Sequence, residues 1–434
     1  AGRQALRPAE KAEGQKPLKT LAIWLLVILC LEGLYFFCIY TNNSFVKKWR
    51  TIYINTAMDT MRHQWLATYF IPKDVIDEVR YEYGLVKAGT VGKESTWGRT
   101  DPAPADQTPS TSNDNIVTLD PNVTHETDQP DAEELTQEEL EKQAEENFYS
   151  VFWELDRTSM ETYLAEHPDT LANGWEHIYI NEAGFDDKGT SIQSTFGEQV
   201  LAIDAYNGVL LLRISGKGYR GVLAVGKDPS RLSIEMATTL GTAGQLSGTI
   251  AEAHNGVLAM NANGFLDPNG AGNGGLLAGY TMSNGKAYGD HFSAYAYKRI
   301  ELHEDDLFYI KDALSPVSED CTDAAEFTPA LIVDGKKIMD DYWTGEQPRA
   351  CIGQSEKYEI LMLVIEGRYP LEGILGTSVN NCSEILLQHK CMQAINLDGG
   401  SSAMLWFDGE YVTQSSSSPH ALHRRPPAAE RMGI

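Results

Sequence analysis

Apolar and polar positions change rhythm several times along this chain, and each change marks an element. Leu21 to Tyr40, LAIWLLVILCLEGLYFFCIY, is a run of 20 residues whose only charge is Glu32. At ~1.5 Å per residue it matches a bilayer core of ~30 Å, which predicts a single transmembrane helix. A secretory signal would carry a shorter apolar region, roughly 7–15 residues, and a small-x-small end. This run ends instead in Phe37, Ile39 and Tyr40. Arg3, Arg7, Lys11, Lys16 and Lys19 precede it and favour a cytoplasmic tail at residues 1–20, although Lys47, Lys48 and Arg50 weaken the asymmetry. Residues 41–83 carry apolar positions at mixed helical spacing, interrupted at Pro72, and predict a helical membrane-proximal stalk. Residues 84–146 are poor in large apolar side chains and rich in Pro, Ser, Thr, Asp and Glu, a composition that cannot offset its ordering entropy. They predict an acidic linker, helical only in DAEELTQEELEKQAEE at its end.

Residues 147–434 read differently. NFYSVFWELDRTSMETYLAEHP predicts one helix. QVLAIDAYNGVLLLRIS, PALIVDGKKIM and AMLWFDGEYV predict hairpins about Asn207-Gly208, Asp334-Gly335 and Asp408-Gly409. SGTIAEAHNG and SVNNCSEILLQHKC predict helices, each followed by a buried strand, VLAMNA and QAINL. Helices alternating with strands and hairpins predict one α/β domain, a mixed β-sheet flanked by helices, rather than a doubly wound nucleotide fold.

Charge and cysteines narrow the function. Net charge over 434 residues is −26, and 14 acids against Lys142 alone place half of it in residues 101–146. Phosphate backbones are bound by clustered Lys and Arg, so a nucleic-acid partner is excluded. Cys321, Cys351, Cys382 and Cys391 show no CxxC spacing, which argues against zinc. Outside the cell disulfides are permitted among them. Cys382–Cys391 is discounted, because a helix between them separates the Cα atoms by ~13 Å against a limit of ~7 Å.

Three segments share one grammar, an apolar run that turns abruptly polar and glycine-rich: VLAMNANGFLDPNGAGNGG, ILMLVIEGRYP and AINLDGGSSAM. Strand ends of this kind hold ligands, so the three point to one cleft. Each has a plainer reading as turn chemistry, since Asx side chains bond their own backbone and glycine supplies positive φ. Gly399 and Gly400 beside Ser401 and Ser402 read as room for a ligand, with bare amides that could cradle an anion. GAGNGG opens no helix and is not a dinucleotide motif, and DPNGAG lacks the acids of a calcium loop. No metal or cofactor is implied.

The ordered set AMNANGF, GNGG, PALIVDGK, PRACIGQ, LMLVIEGR and AINLDGGSSAM, with ALHRRPPA near the end, resembles the phosphodiester glycosidase family over roughly residues 197–428. The resemblance implies a catalytic site of Asp398 and Glu366. It implies substrate contacts from Asn261, Asn263, Gly264, Asp267, Asn273, Arg349, Arg368, Asn396, Gly399, Gly400, Ser401, Ser402 and Arg425. Cys351 stands where Thr is usual and Glu366 where Asp is commoner, and RRPPAAERMGI is an atypical ending. Such a family hydrolyses sugar-1-phosphodiesters through an oxocarbenium-like transition state, needing a carboxylate at the sugar and cations at the phosphate. The expectation is a single-pass membrane protein whose outward-facing glycosidase domain acts on envelope or exopolysaccharide glycans. Two alternatives stay open: a non-catalytic polysaccharide-binding or assembly factor, and a phosphodiesterase that breaks the P–O bond. Arg368 could equally pair with Glu366, leaving Glu366 either an acid/base or an orienting group.

Overall fold

The computed structural model describes residues 15–60, 64–97, 136–184, 188–266, 272–292, 297–338 and 345–417. These divide into two compact units, Ala1–Val86 with Tyr342–Glu346, and Lys87–Asp341 with Gln347–Ile434.

The first unit is helical. Gln15–Tyr40 is one helix, and its Thr20–Tyr40 portion, with mean hydropathy 2.4, is long and apolar enough to cross a membrane. Arg50 donates to the carbonyls of Cys38, Ile39 and Thr41, satisfying acceptors that a helix end leaves bare. Asn43 caps the next helix, Ser44–Met58, by accepting from the amides of Phe45 and Val46. Lys73–Ala88 begins directly after Pro72, where the fixed φ of proline suits a helix start. Ile39, Ile54, Ala57, Ala67, Ile71, Val75, Ile76 and Val79 form the core of this unit.

In the second unit the helix expected over NFYSVFWELDRTSMETYLAEHP is two helices, Gln137–Val151 and Arg157–Glu166. The break has a side-chain cause. Asp156 leaves the helix to cap the Ser159 amide at 2.8 Å, and buried Glu154 turns inward to Lys227, which also holds Glu359 at 2.8 Å. The first helix carries a Thr136–Glu139 capping box. Residues 87–97 share the polar composition of the linker but pack onto this unit: the Ser95 amide donates to Ile310 at 2.9 Å, and Lys298 Nζ to the Thr90 carbonyl at 2.7 Å.

The strands pair antiparallel wherever pairing is described, so the expected mixed sheet is corrected to an antiparallel one. Apolar content marks a strand as buried but carries no direction; hairpins link some neighbours here, whereas others meet from far along the chain, and helix Val379–Gln388 crosses between Ile360–Ile365 and Cys391–Asn396, which flank Arg349–Ser355 on either side. The nine-stranded sheet runs in the order Tyr179–Asn181, Gln199–Asp204, Val209–Gly216, Tyr219–Gly226, Ile360–Ile365, Arg349–Ser355, Cys391–Asn396, Ala330–Val333, Lys336–Lys337. Helix Val379–Gln388 packs on one face of its centre, and a five-stranded sheet containing Lys298–His303, Phe308–Asp312 and Cys321–Phe327 approaches the Cys391–Asn396 strand. Both Asp-Gly hairpins form as the sequence predicts, with Asp334, Gly335, Asp408 and Gly409 all at positive φ. Cys321, Cys351, Cys382 and Cys391 are buried and unbridged. Burial, then the neighbouring Cys382, pushes the Cys351 thiol well up.

The five-stranded sheet buries charge. Arg299 lies between Glu301 at 2.8 Å and Glu326 at 3.3 Å, and His303 bridges Glu301 at 2.9 Å and Asp320 at 3.2 Å. Burial would raise the Glu301 pKa, but hydrogen bonds from His303 and Ser318 and the charge of Arg299 bring it down to about 2, against 4.5 unperturbed. A folded-state value below the unfolded one means that this stability is complete above pH 4.5 and is lost as pH falls toward 2. Its size is on the order of 3 kcal/mol. Denaturant unfolding of Glu301→Gln against wild type across pH 2–7, on the order of the pKa span, should show a deficit at neutral pH that shrinks toward zero in acid; a deficit independent of pH contradicts this account.

Candidate active site

The Cys391–Asn396 strand delivers the DGG segment. Its ladder with Arg349–Ser355 places Asn396 opposite Cys351 and is extended by the Leu397 amide on the Ala350 carbonyl at 2.7 Å. Beyond it the two backbones nearly touch. A Cβ on Gly399 would lie 2.6 Å from the Pro348 carbonyl oxygen, and the Gly400 amide donates to that same oxygen at 3.0 Å. Gly400 sits at φ +63°, and a Cβ there would meet the Arg368 guanidinium at 3.2 Å. The room expected for a ligand at these glycines is therefore taken by Pro348 and Arg368. The anion cradle is also partly spent, since the amides of Asp398, Gly400 and Ser402 donate to Ala262, Pro348 and Gly399.

Charge gathers around the half-buried Asp398. Arg349 is buried, and its Nε donates to the Thr377 carbonyl at 3.1 Å. Arg368, at φ +67°, has its pKa lowered first by burial and then by the charge of Arg349, with Asp398 acting in the opposite sense. Among the described residues no hydrogen bond or ion pair reaches the Arg368 guanidinium. The alternative pairing of Arg368 with Glu366 is not formed. Glu366 binds Arg220 Nε at 2.7 Å and accepts from the Gln414 amide at 2.8 Å. Burial raises the Glu366 pKa, and Arg220 and that amide only partly offset it. Arg220 was not singled out from the sequence; its one signal is a cation in an otherwise largely apolar strand.

The asparagines divide. Asn261 spends both ends of its amide on the DGG loop, donating to the Asp398 carbonyl at 2.5 Å and accepting from the Met404 amide at 3.1 Å. Asn273 binds Thr242 and Gly275 and so braces its own loop. Asn396 is buried, and its Nδ2 donates to the Thr328 carbonyl at 2.8 Å. Asn263 donates to the Tyr280 carbonyl at 3.1 Å, while its buried Oδ1 has no partner among the described residues. Gly264 pairs with Ala278 in a short hairpin. Asp267 and Arg425 lie outside the described residues.

A cavity of about 950 Å³ has Asn261, Asn263, Gly264, Asn273, Asp398, Ser401 and Ser402 in its wall. Arg349, Arg368, Glu366 and Asn396 are not part of that wall. Asp398 belongs to both groups, open to the cavity and within electrostatic reach of Arg368. Among the described residues no cluster of three His, Cys, Asp or Glu side chains is placed to hold a metal.

Residues 254–429 match the model of the phosphodiester glycosidase family. A search of curated proteins finds no match. Among solved structures, the chain is similar to the catalytic domain of zebrafish N-acetylglucosamine-1-phosphodiester alpha-N-acetylglucosaminidase, auto-inhibited by its pro-peptide. That likeness has 16% identity and a TM-score of 0.40, covering 50% of this chain and 78% of that one. A hypothetical protein from Synechocystis gives 14% identity and a TM-score of 0.35, over 54% of this chain and 64% of that one.

The two arginines beside Glu366 in space and in sequence differ in what they hold, and stability separates them. Arg220→Gln strips the partner from a buried carboxylate and should cost about 2–3 kcal/mol, below the full value for a buried pair because Arg220 is a third exposed. Arg368→Gln removes a cation with no bonded partner among the described residues and should stay within about 0.5 kcal/mol of wild type. Denaturant midpoints measure both, and a large loss from Arg368→Gln would assign that guanidinium to the fold.

Proposed function

We propose that the second unit hydrolyses sugar 1-phosphodiesters, with Asp398 as the carboxylate at the anomeric carbon. The observation that carries this reading is Arg368, whose guanidinium has no bonded partner among the described residues and lies within electrostatic reach of Arg349 and of Asp398, the last of which lines a large cavity. The family match over residues 254–429 supports a glycosidase that acts on a phosphodiester-linked sugar.

The chemistry follows from charge. Cleavage breaks the bond from the anomeric carbon to the phosphate oxygen, and water supplies the new oxygen at that carbon. Positive charge develops on the sugar, which a carboxylate at Asp398 stabilises directly or by activating the water. Electrons move onto the departing phosphate, already a good leaving group, so cations rather than a strong acid answer the demand. Arg368 and Arg349 can each offer planar donors to phosphate oxygens. Glu366 acts at one remove by holding Arg220 against the Gln414 backbone, next to Ser415, whose Oγ donates to the Ser401 carbonyl at 2.8 Å. The apolar helix at Thr20–Tyr40 would anchor the enzyme with this unit outside the cytoplasm, where envelope glycans are the substrate at hand.

A panel of sugar-1-phosphodiesters with product mass spectrometry tests the reading. Asp398→Asn should lower turnover by a factor of at least about 10³ with the unfolding midpoint unchanged. In labelled water the heavy oxygen should enter the sugar; label in phosphate would replace glycosidase with phosphodiesterase, and glycan binding without turnover would leave a binding module.

A further inference from the structure

The cavity runs across the nine-stranded sheet. Val209, Gly226, Ile360 and Ile352 lie on four neighbouring strands, Leu397 directly follows the next one, Cys391–Asn396, and all five residues stand in the wall. With ~4.8 Å between neighbouring strands, the wall spans roughly 19 Å, with Asn207 at one end and Asp398 at the other. A single sugar ring covers only a fraction of that length. The volume agrees: at about 950 Å³ it lies at the top of the roughly 300–1,000 Å³ range for small-molecule sites.

Every segment of the wall brings polar side chains. Asp228 and Glu235 come from the loop after strand Tyr219–Gly226, His254 from the end of helix Ser247–Ala253, Asp323 from the five-stranded sheet and Ser401 from the DGG loop. Three buried oxygens of wall residues, Ser247 Oγ, Asn263 Oδ1 and Thr281 Oγ1, have no partner among the described residues. Thr281 stands opposite Ala325, and Ala325 opposite Ile300; all three are in the wall, which puts the Thr281 side chain on the sheet face that borders the cavity. Buried polar atoms without partners are costly, and the hydroxyls of a ligand, or water that they hold in place, supply partners. The charge of the wall is acidic. Asp228, Glu235, Asp323 and Asp398 face the cations Lys227 and Arg231, and Lys227 is already held between Glu154 and Glu359. A polyanionic chain meets repulsion there, whereas an uncharged one does not.

We infer that the cavity binds the glycosyl side of the substrate as an uncharged oligosaccharide of several sugar units, with the sugar to be released from phosphate at Asp398 and the others running across the sheet toward Arg231. Arg349 and Arg368 are not part of the wall, which leaves the cavity to the sugar side of the scissile bond. The inference rests on the proposed glycosidase reading for which sugar meets Asp398. The bond broken and the water added are those of that reaction; only the glycosyl group is longer, so the product is an oligosaccharide rather than a single sugar. Arg231 marks the far end, where it donates to Asn207 at 3.1 and 2.9 Å.

Binding tests it without turnover. The full chain in nanodiscs is titrated with neutral oligosaccharides of glucose, mannose, galactose and N-acetylglucosamine, each as disaccharide and tetrasaccharide, and with tetragalacturonate. In at least one neutral series the tetrasaccharide should bind at least about tenfold more tightly than the disaccharide, since each added unit brings further hydrogen bonds. Tetragalacturonate should show no such gain. Arg231→Ala should reduce the tetrasaccharide's advantage at least about threefold and leave disaccharide binding as it was, which also reports that the variant is folded. No advantage of length in any neutral series, an equal advantage for tetragalacturonate, or an advantage untouched by Arg231→Ala overturns the inference, while release of sugar from a phosphodiester would leave the glycosidase reading standing. An advantage of length that depends on Arg231, with no sugar released from any phosphodiester, removes the glycosidase and leaves an oligosaccharide groove.

Discussion

Everything at the candidate site depends on the near-contact of two backbones, Gly399 against the Pro348 carbonyl. A strand end normally becomes a free loop, yet here the ladder between Arg349–Ser355 and Cys391–Asn396 is prolonged by Leu397 and then by Gly400 on Pro348. From the other side, the Asp398 amide donates to Ala262 and Asn261 grips the Asp398 carbonyl. Asp398 is thus fixed by main chain on two flanks. A site built on strands holds its geometry better than one on a loop, because moving the carboxylate requires breaking the sheet. The absence of a Cβ at residue 399 is what permits the approach.

That rigidity makes the charge imbalance sustainable. Two guanidinium groups stand near one carboxylate, and the second carboxylate, Glu366, is occupied by Arg220. Burial and the charge of Arg349 both weigh against a charged Arg368, which is expressed in its lowered pKa. An anion placed beside Arg368 would offset both effects at once.

How much of this was legible in the sequence depended on whether the deciding interaction was local. Asp334-Gly335 and Asp408-Gly409 announced their hairpins because the turn needs positive φ at both positions, a property of those two residues alone. The helix at Val379–Gln388 and its following strand were equally local. Strand direction was not, because Tyr219–Gly226 finds its neighbour Ile360–Ile365 far along the chain and apolar side chains do not encode which way it runs. The break at Phe152–Leu155 depended on Glu154 reaching Lys227. At the site, the cluster of motifs was visible, but the roles within it were not. An asparagine that brackets a loop, as Asn261 does, and one that meets a ligand look alike in sequence, since the same amide donor and acceptor serve either purpose. Glycines that admit a neighbouring strand likewise resemble glycines that admit a ligand.

The remaining carboxylates of the cavity wall bear on how a leaving group could depart. Asp228 accepts from the Ser230 amide and hydroxyl, Glu235 lies 3.3 Å from His254, and Asp323 accepts from the amides of Ile234 and Asn284. Each is committed to the loop that carries it or lies beside it, and Glu366 is buried away from the wall. A glycoside with a sugar or alkoxide leaving group needs a proton from such an acid, whereas a phosphate needs only its negative charge accommodated. Among the described residues these acids are tied down and the Arg368 guanidinium is left unbonded. Under the proposed glycosidase reading, that distribution suits departure of a phosphate anion without a second catalytic carboxylate.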